Sequence, residues 1–397
     1  MTSSRPILHL VTNLELGGAQ LSVSEICMRL RARGLDIHLA YSSRGGRMRD
    51  GHAILRRRIE RSGVALHDLA MMRHAIHPVA DAASAVQIYA LLRRLRPWIV
   101  HTHMSKAGIL GRLVAARAGV PHVLHTVRGW SFYAARSGMA GRLAVAAERL
   151  AARATTQAFA VSHSLARDGA RRGVVVGDGY RIVRSGIDVA RFADAARQRQ
   201  ALRGRLGIAE HAAVVGFVSA FTRAKGALDV PAVVREVAGR RGDVVLVVAG
   251  DGPLRAQFAA ACRRAGIADR VRDTGQEPDI HRVMAVLDVL LIASRWEGVP
   301  RVAVEALAAG VPVVATDVGG IREVIEPGIS GQLVPAGDVP QLARAILAVL
   351  GDPALRARLE AAAARVLAEH ELEAVVAQHE AVYRGLLDPG GGPGGAR

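Results

Sequence analysis

The 397-residue chain reads as an α/β protein of two Rossmann-like, doubly wound domains facing a central cleft, and three observations carry that expectation. Short apolar runs alternate with helix-length amphipathic stretches, the alternation stops and restarts once, and the length suits two cores. Strand alternating with helix implies a parallel sheet with helices on both faces and ligands at the carboxyl ends of the strands. At roughly 150 residues per domain the chain holds two or at most three domains. With 50% hydrophobic and 22% charged residues it is not a disordered chain.

Taken in order, the run Ile7 to Thr12 precedes a helix over 19–33, and Ile37 to Tyr41 precedes a helix over 50–61. A helix over 80–95 leads to Trp98 to Thr102, a helix over 106–118 to His122 to Thr126, and a helix over 138–154 to the short strand Ala158 to Ser162. After a stretch containing Gly173, Gly177 and Gly179, the boundary falls near 186–205. The alternation restarts with Val214 to Ser219, Val244 to Ala249, Val271 to Thr274, Val289 to Ala293 and Val313 to Thr316, each followed by a helix-like segment. The expected domains are therefore 1–188 and 189–370, then a last helix over 371–388 and a Gly/Pro-rich tail, 389–397, that buries nothing and is expected to be disordered.

Apolar stretches are too short, or too broken by Gly, Pro and charge, to span a bilayer. The N-terminus runs straight into a strand without a secretory leader pattern, so a cytoplasmic location is expected. Cys27 and Cys262 lack the nearby Cys or His of a zinc or redox motif and read as small buried apolar residues. Net charge is +18, almost all from arginine; only Lys106 and Lys225 are lysines. Such a balance suits an anionic partner, whether nucleic acid, acidic lipid or a phosphorylated small molecule. Aromatics are only 4% and no nucleic-acid reading motif appears, so specific nucleic-acid binding is not expected. The segment from Val86 to Trp98 mixes an apolar face with arginines and ends in tryptophan; packing on the first sheet is the favoured reading, and contact with an anionic membrane the alternative.

The strongest chemical signal is the segment 294–315, which opens after a buried strand with Ser294-Arg-Trp-Glu297 and continues through Gly298, Val299, Pro300 and Arg301 to Glu305. Pro300 stands at a helix start and Gly310 ends the helix before the next strand. Loop amides and the helix N-terminus offer positive partial charge to a phosphate, while Glu297 and Glu305 can accept hydrogen bonds from sugar hydroxyls. Around this segment, and in chain order, stand Leu14-Glu-Leu-Gly-Gly-Ala-Gln20, the stretch from Val100 to Arg112, Arg184 to Phe192, Arg223-Ala-Lys-Gly226, Val248 to Pro253 and Thr316 to Val324.

On these motifs, which cover most of residues 7–350, the chain resembles glycosyltransferase family 4 of the GT-B fold. The resemblance implies a retaining glycosyltransferase that takes a hexose or N-acetylhexosamine from a nucleotide-diphosphate sugar, most readily a UDP-sugar, with no cofactor besides that co-substrate. It implies a donor site in the second domain: Glu305 on the ribose hydroxyls, Glu297 on the sugar, Arg223 and Lys225 on the diphosphate. Gly250 and Asp251 would lie by the nucleotide, and Gly17 and Gly18 would approach the diphosphate from the first domain. His103, Lys106 and Arg128 are acceptor-side candidates, and the last helix should return to the first domain.

Two departures stand out. The family often has an Arg five residues before the Lys-Gly pair; here that position is Ala220, and Arg223 is the nearby cation. Where the family often has a His near the reacting centre, this chain has Arg128, which cannot act as a general base. A front-face mechanism, in which the leaving phosphate deprotonates the acceptor, needs no protein base. No Asp-any-Asp motif ends a strand, and the histidines look scattered without ligand spacing apart from His101-Thr-His103 in a strand, so no essential metal is expected. The alternatives are a nucleotide-sugar epimerase of the same fold, and a non-catalytic basic module binding anionic membrane or nucleic acid.

Overall fold

The computed structural model describes residues 5–44, 49–73, 75–134 and 138–388; the tail 389–397 lies outside the described residues. The chain forms two units, 1–186 with 372–397, and 187–371.

In the first unit the order is β1 (Ile7–Leu10), α1 (Gly18–Ala32), β2 (Ile37–Tyr41), α2 (Arg49–Arg61), β3 (Ala65–Asp68), α3 (Pro78–Leu95), β4 (Ile99–His103) and α4 (Ser105–Arg117). There follow β5 (His122–Val127), α5 (Ser131–Ala134), α6 (Met139–Arg153), β6 (Gln157–Ala160), α7 (His163–Arg171) and β7 (Tyr180–Ile182). The seven strands are parallel in the order β3-β2-β1-β4-β5-β6-β7. Strands β1 and β4 are wholly buried, as a sheet covered on both faces requires. Leu8, Leu10 and Val100 turn to a core shared with Ile88, Leu91 and Leu92 of α3, whereas Ile7, Ile99 and Leu124 turn to one shared with α1. Strands β3 and β7 were not anticipated: Ala-Leu-His-Asp and Tyr-Arg-Ile are short, sit at the sheet edges and are only partly buried, so they lack an apolar run.

The second unit runs α8 (Val189–Ala196), α9 (Arg199–Arg205), β8 (Ala213–Val218), α10 (Val230–Ala238), β9 (Val244–Ala249), α11 (Arg255–Arg264), β10 (Val271–Asp273) and α12 (Ile280–Val286). It continues with β11 (Val289–Ile292), α13 (Arg301–Ala308), β12 (Val313–Thr316), β13 (Gln332–Val334), α14 (Val339–Gly351) and α15 (Pro353–His370). Six parallel strands take the order β10-β9-β8-β11-β12-β13, with the short edge strand β13 unanticipated. Asp288, just before β11, ties the lower end of this sheet. Its carboxylate accepts from the Val214 amide at 2.8 Å and pairs with Arg199, Arg203 and Arg356. Burial pushes this carboxyl up, but the Val214 amide and the arginines outweigh it and hold it below the ordinary range.

The last helix, α16 (Leu372–Leu387), packs on α1 in the first unit, burying Leu372, Val375, Val376 and Tyr383. Cys27 and Cys262 are both free and buried.

Candidate active site

In the second unit the functional side chains come from loops at the carboxyl ends of β8, β9, β11 and β12. Lys225, in the loop after β8, places its Nζ 2.8 and 2.7 Å from the two carboxylate oxygens of Glu297, in the loop after β11. The Ser294 hydroxyl donates to Glu297 at 2.5 Å, and the Thr316 hydroxyl donates to the Ser294 carbonyl at 2.5 Å. Glu297 is thus a buried carboxylate with two donors fixed by two strand ends. The backbone explains why the loops approach so closely. Gly226 has φ +62°, and a Cβ there would lie 1.9 Å from the Ala293 carbonyl oxygen; Gly319, with φ +54°, would meet the Glu297 carbonyl oxygen at the same distance. Only glycine fits either position. The Gly320 amide donates to that Glu297 carbonyl at 3.2 Å, and the Arg295 amide to the Ala224 carbonyl at 2.8 Å.

Beyond Glu297, Gly298 and Pro300 are buried and Val299 half-buried, and Pro300 caps α13 without a side-chain hydrogen bond. Glu305 lies one turn into α13, buried, and accepts from Arg301 Nε at 2.7 Å. The structure therefore joins Lys225 to Glu297 and Arg301 to Glu305. Arg223 lies exposed in the Lys225 loop. Gly250 and Asp251 follow β9: the Asp251 carboxylate accepts from the Gly252 amide at 2.7 Å, and its carbonyl from the Phe221 amide at 3.0 Å, fastening this turn to the loop after β8.

In the first unit Gly17 is the N-cap of α1 and Gly18 its first residue, with no acidic residue in the first turn. A Cβ on Gly17 would sit 2.6 Å from Gln20 Oε1. Among the acceptor-side candidates, Lys106 turns to α3, where its ammonium pairs with Asp81 at 2.6 Å and donates to the Ala75 carbonyl. Arg128 donates from Nη1 to the Ser185 hydroxyl at 2.9 Å. Between His103 and Lys106, Met104 has φ 65° and ψ 170°, a strained conformation for a side-chain-bearing residue that costs on the order of 1–3 kcal/mol.

His9 joins the His101-Thr-His103 pair, and for these three the expectation of scattered histidines is corrected. His9 and His101 are register partners on β1 and β4, and His103, two residues on, shares their face. Nitrogens of His9, His101 and His103 lie within 4.8 Å of one another. The rings stack, His101 on His103 at 4.4 Å between centroids, and His9 Nδ1 and His103 Nε2 share a hydrogen bond of 3.0 Å. Tyr383 of α16 reaches His101 Nδ1 at 2.5 Å and His9 Nε2 at 3.3 Å, while Thr126 meets His101 Nε2 at 2.7 Å. Burial, then the charges of His379 and Arg128, pushes His9 down to about 3, and burial holds His101 and His103 well below the usual histidine range. At neutral pH this is an uncharged hydrogen-bonded layer beneath α16. Sequence reasoning missed it because its members are 94 and 282 residues apart; the His101-Thr-His103 spacing was the one local signal.

A family profile described as glycosyl transferases group 1 matches residues 198–366, and one described as glycosyl transferase 4-like domain matches 17–179. The chain is 30% identical over 321 residues to D-inositol 3-phosphate glycosyltransferase 1 of Catenulispora acidiphila, covering 74% of this chain and 73% of that one. It is 27% identical over 280 residues to the UDP-Gal:α-D-GlcNAc-diphosphoundecaprenol α-1,3-galactosyltransferase of Escherichia coli, covering 70% and 72%. In fold it superimposes on the Anabaena HepE protein, crystallised with UDP and glucose, with TM-score 0.81 and 20% identity over 96% of this chain and 99% of the other. Strand order, loop chemistry and these matches agree: the chain is an enzyme belonging to the group 1 glycosyl transferases, with the GT-B fold.

Proposed function

We propose that the protein transfers a hexose or N-acetylhexosamine from a UDP-sugar, with retention of anomeric configuration and without an essential metal, to a cytoplasmic-side acceptor such as a lipid-linked, polysaccharide or glycolipid precursor. The observation that carries this reading is the Lys225–Glu297 pair, held by Ser294 at the carboxyl ends of β8 and β11, beside the buried Arg301–Glu305 pair on α13. A relative that uses UDP-galactose and a lipid diphosphate, and a structural neighbour crystallised with UDP, support the choice of base and acceptor class.

In this reading Lys225 and the exposed Arg223 neutralise the diphosphate as charge builds on the departing oxygen, and the N-terminus of α13, whose Pro300 cap makes no side-chain hydrogen bond, adds to that field. Glu305 accepts from the ribose hydroxyls, with Arg301 fixing its rotamer, and Glu297 accepts from hydroxyls of the sugar. Gly250 and Asp251 shape the wall beside the nucleotide. Retention follows if the acceptor attacks from the face the diphosphate leaves, the phosphate oxygen taking its proton; no side chain need act as base. Arg128 serves this chemistry as a hydrogen-bond donor, and His103 with Lys106 fixes the corner at which the acceptor is received. Calorimetric titration with UDP, GDP and ADP tests the donor assignment. Micromolar UDP binding that Glu305→Ala and Lys225→Ala both weaken is expected; preference for another base, or no binding by any nucleotide, overturns it.

A further inference from the structure

The helical layer formed by α3, α4 and α6 exposes large apolar side chains among its arginines. α3 packs on α4 and α4 on α6. On α6, Glu148, Ala151 and Ala152 face inward, while Met139, Leu143 and Leu150, spaced i, i+4 and i+11, form a row on the opposite side. These three are 71%, 63% and 52% exposed. The same inversion occurs on α3, where Val79 and Val86 are exposed and Ile88, Leu91 and Leu92 are buried. Single surface apolar residues are ordinary, but aligned rows on two helices of one layer are the mark of an interaction surface.

Charge selects the partner. The three helices carry eight basic side chains and two acidic ones, and both acids are engaged: Asp81 with Lys106 and Glu148 with Arg112, each at 2.6 Å. That leaves Arg93, Arg94, Arg117, Arg142, Arg149 and Arg153, all exposed, without a carboxylate on this layer. A second copy docking face to face would bring six arginines against six, and nucleic acid has no use for the apolar row. We propose that this face docks on an anionic lipid surface, with Met139, Leu143 and Leu150 entering the headgroup region and the arginines meeting lipid phosphates. The tryptophan of the 86–98 segment is not the anchor: Trp98 Nε1 donates to the Leu386 carbonyl at 2.8 Å and its ring lies under Arg5. The inference is independent of the donor-site reading.

Flotation of the full chain with vesicles at physiological salt tests it. The protein is expected to float with phosphatidylcholine vesicles that contain phosphatidylglycerol and to stay behind with phosphatidylcholine alone. Arg142→Gln combined with Arg153→Gln should lower partitioning by about 25-fold, taking about fivefold for each arginine near the surface. The triple change Met139→Ser, Leu143→Ser, Leu150→Ser should abolish flotation. Both variants should melt and bind UDP as the parent does, which separates lost docking from lost folding. No flotation of the parent, or parent-like flotation of both variants, overturns the proposal. So does a dimer, seen by light scattering, that the triple change dissolves, since the face would then be covered by a second copy.

Discussion

Replacing Lys225 by Met removes the counter-ion of Glu297 while keeping the aliphatic stem. The Glu297 side chain is 6% exposed and that of Lys225 31%. At an effective dielectric of about 20, unit charges about 3 Å apart attract by about 5 kcal/mol. Partial exposure of the lysine and the desolvation of both groups reduce the net coupling to on the order of 1–3 kcal/mol. The two single changes should be unequal. Lys225→Met strands a buried carboxylate with only the Ser294 hydroxyl, so unfolding free energy should fall by about 2 kcal/mol; Glu297→Gln leaves an ammonium that can turn to water and should cost less than about 1 kcal/mol. Combining them should recover most of the loss. Binding separates the pair in the other direction. Loss of the cation proposed to meet the diphosphate should weaken UDP by roughly 10- to 100-fold, from the about 1.5–3 kcal/mol of a charged hydrogen bond. Glu297→Gln frees Lys225 and removes a repelling carboxylate, so UDP should bind as tightly or more tightly while UDP-sugar hydrolysis slows. Urea denaturation, calorimetry and release of UDP from the donor measure the three quantities. Equal loss of UDP affinity in both single variants, or parent-like affinity in Lys225→Met, would refute the division of labour.

Three further outcomes are expected. Asp288→Asn should lower stability by about 3 kcal/mol in denaturant titration, because the nearly buried Arg203 loses its carboxylate; a loss under about 1 kcal/mol contradicts that reading. The unfolded chain takes up protons on His9 and His379 near pH 6.5, whereas the fold keeps them neutral down to about 3 and about 4, so stability is full above pH 6.5 and falls as pH drops. Each such histidine adds up to about 1.4 kcal/mol per pH unit, and a flat profile from pH 7 to 5 is the contrary result. Gly319→Ala should abolish UDP binding in a protein that still shows cooperative melting, since its Cβ displaces the Glu297 backbone; unchanged affinity would remove that loop from the site.

What the sequence disclosed and what it hid follow from range and burial. Four of the five second-unit strands expected from the sequence, β8, β9, β11 and β12, were legible because a strand buried on both faces writes itself as Val, Leu, Ile and Ala; the edge strand β10, Val-Arg-Asp, was expected without such a run. Edge strands β3, β7 and β13 hid behind His, Arg and Gln, since an edge needs no apolar run. Glu297, Glu305 and Lys225 were legible as separate residues, each in a local motif. That Lys225 grips Glu297 was not, because 72 residues separate them and only the adjacency of β8 and β11 brings them together. The Asp288 cluster was masked by composition: in a chain whose basic residues are nearly all arginine, three that converge on one carboxylate look like any others.

The return of α16 fixes the order in which a growing chain can be completed. Residues 5–186 are made before 187–371, yet the wall made by Leu372, Val375, Val376 and Tyr383 is made after both. Until then His9 and His101 wait for the tyrosine hydroxyl, and the α1 face of the first sheet stays open, whereas 187–371 has all its residues before α16 is made. The unit 187–371 can therefore mature before the unit that precedes it, and a stop codon within α16 should harm the preceding unit most.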